Sequence, residues 1–333
     1  MLPRLSGPRR SLSAMGCTQR SGPSTVEELD TWPLDIVVTL LQAGMPGEAS
    51  RVRRLRDLFV KKFKLSGDYS GMECSREVAR LLKIALRPLN LGLDFDWEWV
   101  RSCDYSKQQQ EYLVTFSQMV EDSNGCVLCD INDRLTAEAA KALNEHEPAK
   151  DLSYLMKKQA YARMLDYLLA GGERCYLTEV PCVVHGKPCV AHPGHQADFD
   201  DESEQCWNFA GTTCTGWSAV GKGNLDVVFQ CVSVVTHLNT GEGHADGSER
   251  PHAVWLGERA HLAKSGKETG FFGECTPRYP VKTKLREPLQ SSHRVIFVVV
   301  NPKLQGASCA CVCVCVCVCL CVCVCVVERL MNI

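Results

Sequence analysis

The segment with the clearest chemical character is a loop of small residues around a single cysteine. Residues 211–221 read Gly-Thr-Thr-Cys-Thr-Gly-Trp-Ser-Ala-Val-Gly, with Cys214 at the centre, and they follow an apolar run that predicts a strand. Small neighbours leave a thiol exposed, and surrounding backbone amides favour the thiolate, which is the nucleophilic form. Taken alone, a small buried cysteine in a turn is the commoner interpretation of such a segment. The loop therefore indicates covalent catalysis through Cys214 without establishing it.

Polar or glycine-containing segments follow three predicted strands at the points where those strands end. The first is the turn at 66–72, which contains Gly67 and Gly71 and opens a helix, so it offers close backbone approach to a ligand. Asp104 and Asp130 follow the next two strands, where a carboxylate can accept hydrogen bonds from a ribose diol. Each acid alone is more often a helix cap, but three consecutive strand ends together predict a nucleotide-like ligand.

Short apolar runs alternate with longer helical ones from Lys61 onward, and this alternation predicts the fold class. It is the signature of a mostly parallel sheet with crossover helices, which here means an α/β, Rossmann-like, doubly wound domain. Composition agrees with a globular protein, at 45% apolar and 23% charged residues. The predicted strands are 61–65, 97–103 and 125–129, and the predicted helices are 74–86, 107–119, 136–143 and 152–170.

Residues 211–221 resemble the nucleophile loop of the cytosine-5 DNA methyltransferase family, whose pattern is Gly-Pro-Pro-Cys-Gln-Gly-Phe-Ser followed two residues later by Gly. Downstream, residues 271–276 resemble the family's strand ending in Glu-Asn-Val, and residues 290–297 resemble its Gln-x-Arg-x-Arg motif. Upstream, Tyr69-Ser70-Gly71 is similar to the Phe-x-Gly cofactor loop. Asp104 matches the family's ribose acid, and Asp130-Ile131 matches the Asp-Ile beside the adenine.

The resemblance implies a catalytic domain of the class I S-adenosylmethionine-dependent type over about residues 60–303. It implies that Cys214 adds to C6 of a flipped-out cytosine, that Glu274 binds the ring, and that Arg294 lies on the substrate side of the pocket. It further implies that S-adenosylmethionine is the cofactor. The residues that would hold it are Tyr69, Ser70, Gly71, Asp104, Asp130 and Ile131.

Several positions depart from the family pattern. Thr213 replaces the Pro before the cysteine, Cys275 replaces the Asn after the glutamate, and Ser292 replaces the first Arg of the later motif. The lost Arg removes one planar donor that would support the Cys-bound base. No segment after residue 303 resembles the family's target-recognition domain, so we expect the catalytic fold without that domain.

A second cluster of chemically active residues reads Cys182-x2-His185-x3-Cys189. Cysteine and histidine at such spacing are ligands that zinc prefers. The segment nevertheless lacks a clean pair of Cys-x2-Cys knuckles, so a reduced Cys/His-bearing loop without metal is the favoured interpretation. Zinc stays the alternative.

The chain divides into three predicted parts. Residues 1–50 form a basic disordered or targeting segment, 51–303 the catalytic domain with a probable inserted apolar strand at 226–242, and 304–333 a Cys-Val tail. Nine of the 21 cysteines alternate with other residues in that tail, as a TGTGTG nucleotide repeat would encode. We therefore hypothesise that the insertion and the tail are non-coding sequence that has been translated. A membrane helix at 309–327 is a weaker alternative, because alternating Val and Cys form helices poorly.

The function that follows is transfer of a methyl group to C5 of cytosine in DNA. The alternatives are a catalytically inactive methyltransferase-like interaction protein and an RNA cytosine-5 methyltransferase. A net charge of -2 gives no overall attraction to phosphate, so DNA requires a local basic patch. The basic run at 51–64 is one candidate, but the favoured interpretation of that run is the solvated face of an amphipathic helix. The expected compartment is the nucleus, or an organelle because the first 26 residues are basic and contain no acid. No membrane partner is predicted, and the sequence predicts no oligomeric state.

Overall fold

The computed structural model describes residues 61–71, 74–86, 96–119, 125–200, 202–211, 249–275, 285, 287–291, 293–300 and 322–329. Cys214, the predicted insertion at 226–242 and the basic residues 51–60 lie outside these ranges. Among the described residues, no helix is long and apolar enough to cross a membrane.

The described strands form one seven-stranded sheet and one small hairpin. The large sheet has the order β3-β2-β1-β6-β7-β9-β8, in which β3, β2, β1, β6 and β7 are parallel neighbours. Only β9 in this sheet runs the other way, since it pairs antiparallel with both β7 and β8. The strands are β1 Lys62–Asp68, β2 Trp97–Cys103, β3 Cys126–Leu128, β4 Glu179–Pro181, β5 Pro188–Val190, β6 Glu204–Gly211, β7 Gly270–Cys275, β8 His293–Val300 and β9 Val322–Arg329.

Helices follow most of the parallel strands, as crossover connections require. Two of them begin at clear caps: the Thr136 hydroxyl accepts from Ala139 N, and the Ser153 hydroxyl accepts from Met156 N. Short 3-10 helices at Ile131–Arg134, Gly172–Cys175 and Pro193–His195 complete the connections. The helices are α1 Cys74–Leu86, α2 Lys107–Met119, α3 Ala137–His146, α4 Tyr154–Gly171, α5 Glu249–Lys264 and α6 Glu287–Leu289.

The main core lies between the sheet, α4 and α5. Trp255 of α5 is fully buried, and its ring meets Phe271 of β7 edge to face at 4.9 Å between centroids. Met164 and Leu168 of α4 are also fully buried in this cluster. Since α5 is buried on almost every side, it is a central helix of the domain.

The predicted α/β class and parallel sheet are confirmed. The seven predicted strands and helices between residues 61 and 170 are all present, with ends within a few residues of those expected. The sequence did not predict α5, because a helix buried all round lacks the one-sided apolar stripe that identifies a surface helix.

The structure differs from expectation in the Cys-Val tail, which we expected to be foreign to the fold. Its residues 322–329 form β9, which lies between β7 and β8. β9 pairs with β7 at six positions and with β8 at eight. β-branched Val at every second position suits a strand, so the segment has the pattern that an extended pairing requires. Whether a nucleotide repeat encodes the tail is a separate hypothesis that transcript sequencing would test.

Candidate cofactor and catalytic site

The turn after β1 is held in an unusual backbone conformation. Tyr69 and Gly71 both have φ of +52°, a region that non-glycine residues seldom adopt. Ser70 fastens the turn to the end of β2, because its N donates to Cys103 O at 3.0 Å and its Oγ accepts from Cys103 N at 3.2 Å. The turn is therefore a fixed feature of the carboxyl edge of the sheet.

Asp104, directly after β2, joins this turn to the next helix. Its Oδ2 accepts from Gly71 N at 3.1 Å, and its Oδ1 accepts from Ser106 N at 2.9 Å. Gln110 of α2 donates to the Asp104 carbonyl at 2.8 Å. Each carboxylate oxygen has lone pairs left over, so Asp104 can shape the turn and still accept from a ligand hydroxyl.

Asp130 lies two residues beyond β3 and begins the 3-10 helix Ile131–Arg134. Its Oδ1 accepts from both the backbone N and the side-chain Nδ2 of Asn132, at 2.9 and 2.8 Å, and Asp133 completes a reciprocal capping box. Ile131 is buried in the main core. The structure thus brings Tyr69, Ser70, Gly71, Asp104 and Asp130 to the carboxyl ends of three adjacent parallel strands, as the sequence predicted.

This edge presents polar groups of the kind that a nucleotide-bearing cofactor contacts. Apart from its chain neighbours, no described heavy atom lies within 4 Å of the place where a Cβ on Gly71 would stand. The buried hydroxyl of Tyr69 has no hydrogen-bond partner among the described residues. Tyr105, next to Asp104, is 71% exposed and offers an aromatic face. Carboxylates, an open backbone turn and an exposed ring together fit the adenosine part of S-adenosylmethionine.

A buried carboxylate lies directly before the Tyr69–Gly71 turn, at the end of β1. Asp68, the last residue of β1, is fully buried and accepts from Arg101 Nη1 at 2.6 Å, from Asn208 Nδ2 at 2.9 Å, and from Arg134. Burial alone would raise the pKa of Asp68, but the adjacent guanidinium groups of Arg101 and Arg134 hold it well below its usual value. Asp68 is therefore an anion at neutral pH, and it precedes Tyr69 directly.

The charge network continues from Arg134 into α5. Arg134 Nη1 donates to Glu258 at 2.7 Å, Arg259 Nη2 donates to the same carboxylate at 2.5 Å, and Arg259 also donates to Glu268. His192 Nδ1 accepts from Gly194 N at 3.1 Å, so the proton is on Nε2, which donates to Glu268 at 3.0 Å. Burial lowers the pKa of His192. The network thus pairs three arginines with three acids around a neutral histidine.

Strand register places the backbone of Glu274, one of the two residues to which the resemblance gives a direct part in the chemistry. Gly211, at the end of β6, is paired with Glu274 of β7. Cys214 follows Gly211 by three residues and lies outside the described part of the chain. The backbone of Glu274 is therefore at the carboxyl edge, beside the point where the Cys214 loop leaves the sheet.

Arg294 is placed differently from the expectation. It pairs with Glu328 of β9, and Glu328 pairs with Gly270 at the beginning of β7. Glu274 is four residues farther along β7, about 13 Å at the usual rise per residue. In this register the Arg294 backbone is at the amino edge of the sheet, so the structure does not bring it together with Glu274.

The three predicted zinc ligands lie together, and a fourth residue that the sequence did not indicate lies with them. Cys182, His185 and Cys189 are joined by Cys126, the first residue of β3, and the four ligand atoms are all within 4.8 Å of one another. Cys126 is 56 residues before Cys182, so spacing gave no signal. The isolated bridge between Leu128 and Cys182 brings the two segments together.

Comparison with known proteins adds no relative to this picture. No protein-family model matches the chain, and no curated protein matches it significantly. The functional interpretation therefore depends on the motifs and on the geometry of the carboxyl edge.

Proposed function

We propose that the protein transfers a methyl group from S-adenosylmethionine to C5 of cytosine in DNA through a covalent adduct on Cys214. The observation that carries the proposal is the pairing of Gly211 with Glu274 at the carboxyl edge of the sheet. This register puts the two motifs that resemble the nucleophile loop and the ring-binding acid at neighbouring strand ends. The three strand ends that fit the cofactor are on the same edge.

The cofactor would lie across the ends of β1, β2 and β3. The backbone at Tyr69–Gly71 would face its amino-acid part, Asp104 would accept from the ribose hydroxyls, and Asp130-Ile131 would flank the adenine. Tyr105 would stack on the adenine, since it is an exposed ring next to Asp104. The cofactor supplies an electrophilic methyl group.

The chain's own groups make the cytosine nucleophilic. The Cys214 thiolate forms a bond to C6, while Glu274 donates a proton toward N3 and so neutralises the charge that develops on the ring. C5 would then take the methyl group as the bond between that group and the cofactor's sulfur breaks. A base would remove the C5 proton, the electron pair left behind would expel the Cys214 thiolate, and N3 would return its proton to Glu274. Such chemistry requires the target cytosine to leave the stack of the DNA helix. Arg294 has no part in this scheme, because its backbone is at the other edge of the sheet.

We expect Asp104→Asn to weaken S-adenosylmethionine binding by at least tenfold. The amide has only one accepting oxygen, so one of the backbone donors, Gly71 N or Ser106 N, would face an NH2 group. The bond that we propose from a ribose hydroxyl to this carboxylate would then lose its charged acceptor. A hydrogen bond to a charged group contributes roughly 1.5–3 kcal/mol, which corresponds to about 10- to 150-fold in affinity. Isothermal titration calorimetry with the full chain measures the change. Glu111→Gln, an exposed acid on α2, is the control and should bind normally.

The covalent step can be tested by trapping. Full-length protein incubated with S-adenosylmethionine and a DNA duplex containing 5-fluorocytosine should form an adduct stable to denaturing electrophoresis, because fluorine at C5 cannot leave as the proton does. Cys214→Ala should abolish the adduct. Cys231→Ser, which changes a cysteine 17 residues later in the sequence and outside the motif, should retain it.

The same experiment separates the alternatives. An adduct with 5-fluorocytosine RNA and none with DNA would favour an RNA methyltransferase. Normal cofactor binding with no adduct on either nucleic acid would favour the inactive interaction protein. An adduct that persists in Cys214→Ala would contradict the assignment of the nucleophile.

A further inference from the structure

We propose that Cys126, Cys182, His185 and Cys189 bind one structural zinc ion. These four residues, called here the Cys3His cluster, lie at the β3 edge of the sheet, away from the paired ends of β6 and β7. The inference does not depend on methyl transfer, because it concerns how the sheet edge is held.

The spacing within the Cys3His cluster is that of a tetrahedral zinc site. His185 Nδ1 lies 3.6 Å from Cys126 Sγ, 3.4 Å from Cys182 Sγ and 3.3 Å from Cys189 Sγ. Zinc bonds of about 2.3 Å to sulfur and 2.0–2.1 Å to nitrogen, at tetrahedral angles, place nitrogen and sulfur about 3.6 Å apart. All three observed separations are close to that value, so one ion at the centre would contact each ligand with little rearrangement.

Two separate segments supply the ligands, and the local backbone presents them. Cys182 and Cys189 flank the turn of the β4-β5 hairpin, in which Gly186 has a φ of +62° and its N donates to Cys182 O at 2.9 Å. This tight turn brings His185 back over the two thiols. Cys126 comes from β3, and Val183 N donates to Val127 O at 2.8 Å, which docks the hairpin on that strand.

The ligand set favours zinc over other ions and excludes a catalytic role. Three thiolates and one imidazole in a tetrahedron are typical of structural zinc, whereas Mg²⁺ and Ca²⁺ prefer oxygen. Four protein ligands leave no position for water or substrate. Cys126, Cys182 and Cys189 are all free thiols in the structure, so none is committed to a disulfide.

The ion would fasten an edge that is otherwise weakly held. β3 has only three residues and pairs with β2 on one side, so few hydrogen bonds fix it. A zinc ion would join β3 to the hairpin at Cys126, at the opposite end of the strand from Asp130. The hairpin already covers this edge of the sheet through the bond from Val183 N to Val127 O, and the ion would hold it there, where unpaired backbone groups would otherwise invite association with other chains.

Metal content and spectroscopy of the full chain test this proposal. Purified protein should contain one zinc ion per chain by inductively coupled plasma mass spectrometry. Cys126→Ser should lose it, while Cys129→Ser, a nearby thiol outside the cluster, should keep it. Replacement by Co²⁺ should give thiolate-to-cobalt charge-transfer bands and the intense visible bands of a tetrahedral ion. Chelation of the wild-type protein should lower its melting temperature.

The outcomes are decisive even where a variant folds poorly. A cobalt spectrum without thiolate charge transfer, or wild-type protein that takes up no zinc under reducing conditions, would overturn the proposal. Full zinc content in Cys126→Ser would also overturn it, because β3 would then contribute no ligand. A disulfide among the three cysteines in protein purified under reducing conditions, shown by thiol titration, would contradict it as well.

Discussion

Asp68→Asn is expected to lower the free energy of unfolding by about 3–5 kcal/mol, the usual cost of removing one partner from a buried ion pair. Asp68 is fully buried between Arg101 and Arg134, and its Oδ2 also accepts from Asn208 Nδ2. An asparagine has the same shape but no charge, so two buried guanidinium groups would lose their shared anion. Chemical unfolding of the full chain, followed by circular dichroism, measures the change.

Glu98→Gln is the matched control for Asp68→Asn. Glu98 of β2 also pairs with a cation, Lys62 at 3.0 Å, but both side chains are partly exposed. Solvent screens such a pair, so its loss should cost less than about 1 kcal/mol. Equal destabilisation by the two variants would contradict the importance of the buried network. If Asp68→Asn lowers the free energy of unfolding by less than about 1 kcal/mol, far below the range for a buried pair, the importance of the network would also be contradicted.

The pH dependence of this effect has a definite sign. The pKa of Asp68 in the folded protein is held well below its ordinary value, so the unfolded chain binds the proton more tightly. The stabilisation is therefore complete above the unfolded pKa of about 3.9 and is lost as the pH falls through the folded pKa. The stability difference between wild type and Asp68→Asn should therefore shrink in strong acid, as Asp68 of the folded wild-type protein becomes protonated.

The sequence predicted local structure well where periodicity was strong. The ends of the helices at 74–86 and 107–119 agree with the predicted bounds, because apolar spacing and flanking polar residues define such elements. α5 was missed because it is buried all round, and β9 because its pairing with β7 and β8 depends on chain segments far apart in sequence. Periodicity reports one-sided burial, so it gave no sign of α5. The alternation of Val and Cys in β9 suits a strand, but it does not say which strands the segment pairs with.

The meeting of the two acids at the carboxyl edge of the sheet was predictable for a related reason. Asp104 directly follows β2 and Asp130 lies two residues after β3, and parallel strands bring their carboxyl ends to one edge. The supporting residues were not predictable, since Arg101 within β2 and Arg134 within a 3-10 helix give no sign that they meet Asp68. The backbone of Arg294 lies at a different level of the sheet from the one expected, because a motif fixes a residue's place in sequence but not its level in the sheet.

Gly194→Ala is expected to destabilise the fold by about 3 kcal/mol, the upper end of the usual overpacking cost. Gly194 is buried in the 3-10 helix Pro193–His195, and a Cβ there would lie 2.2 Å from Lys267 O and 2.9 Å from Lys267 C. Both of those atoms are backbone, so no side-chain rotation relieves the clash. The segment at Lys267 would have to move, which would pull Glu268 away from His192. Thermal and urea unfolding measure the loss.

Gly257→Ala distinguishes this backbone clash from ordinary tight packing. A Cβ on Gly257 would lie 2.4 Å from the hydroxyl of Tyr176 and 2.9 Å from Leu168 Cβ. Tyr176→Phe removes the first of these contacts, so the double variant should recover part of the stability that Gly257→Ala loses. No side-chain truncation at Lys267 removes its carbonyl, so Lys267→Ala should leave Gly194→Ala unrescued. Substantial rescue by Lys267→Ala would mean that the side chain, and not the backbone, limits the space at Gly194. The connection between the His192 turn and Glu268 would then be more adaptable than these distances imply.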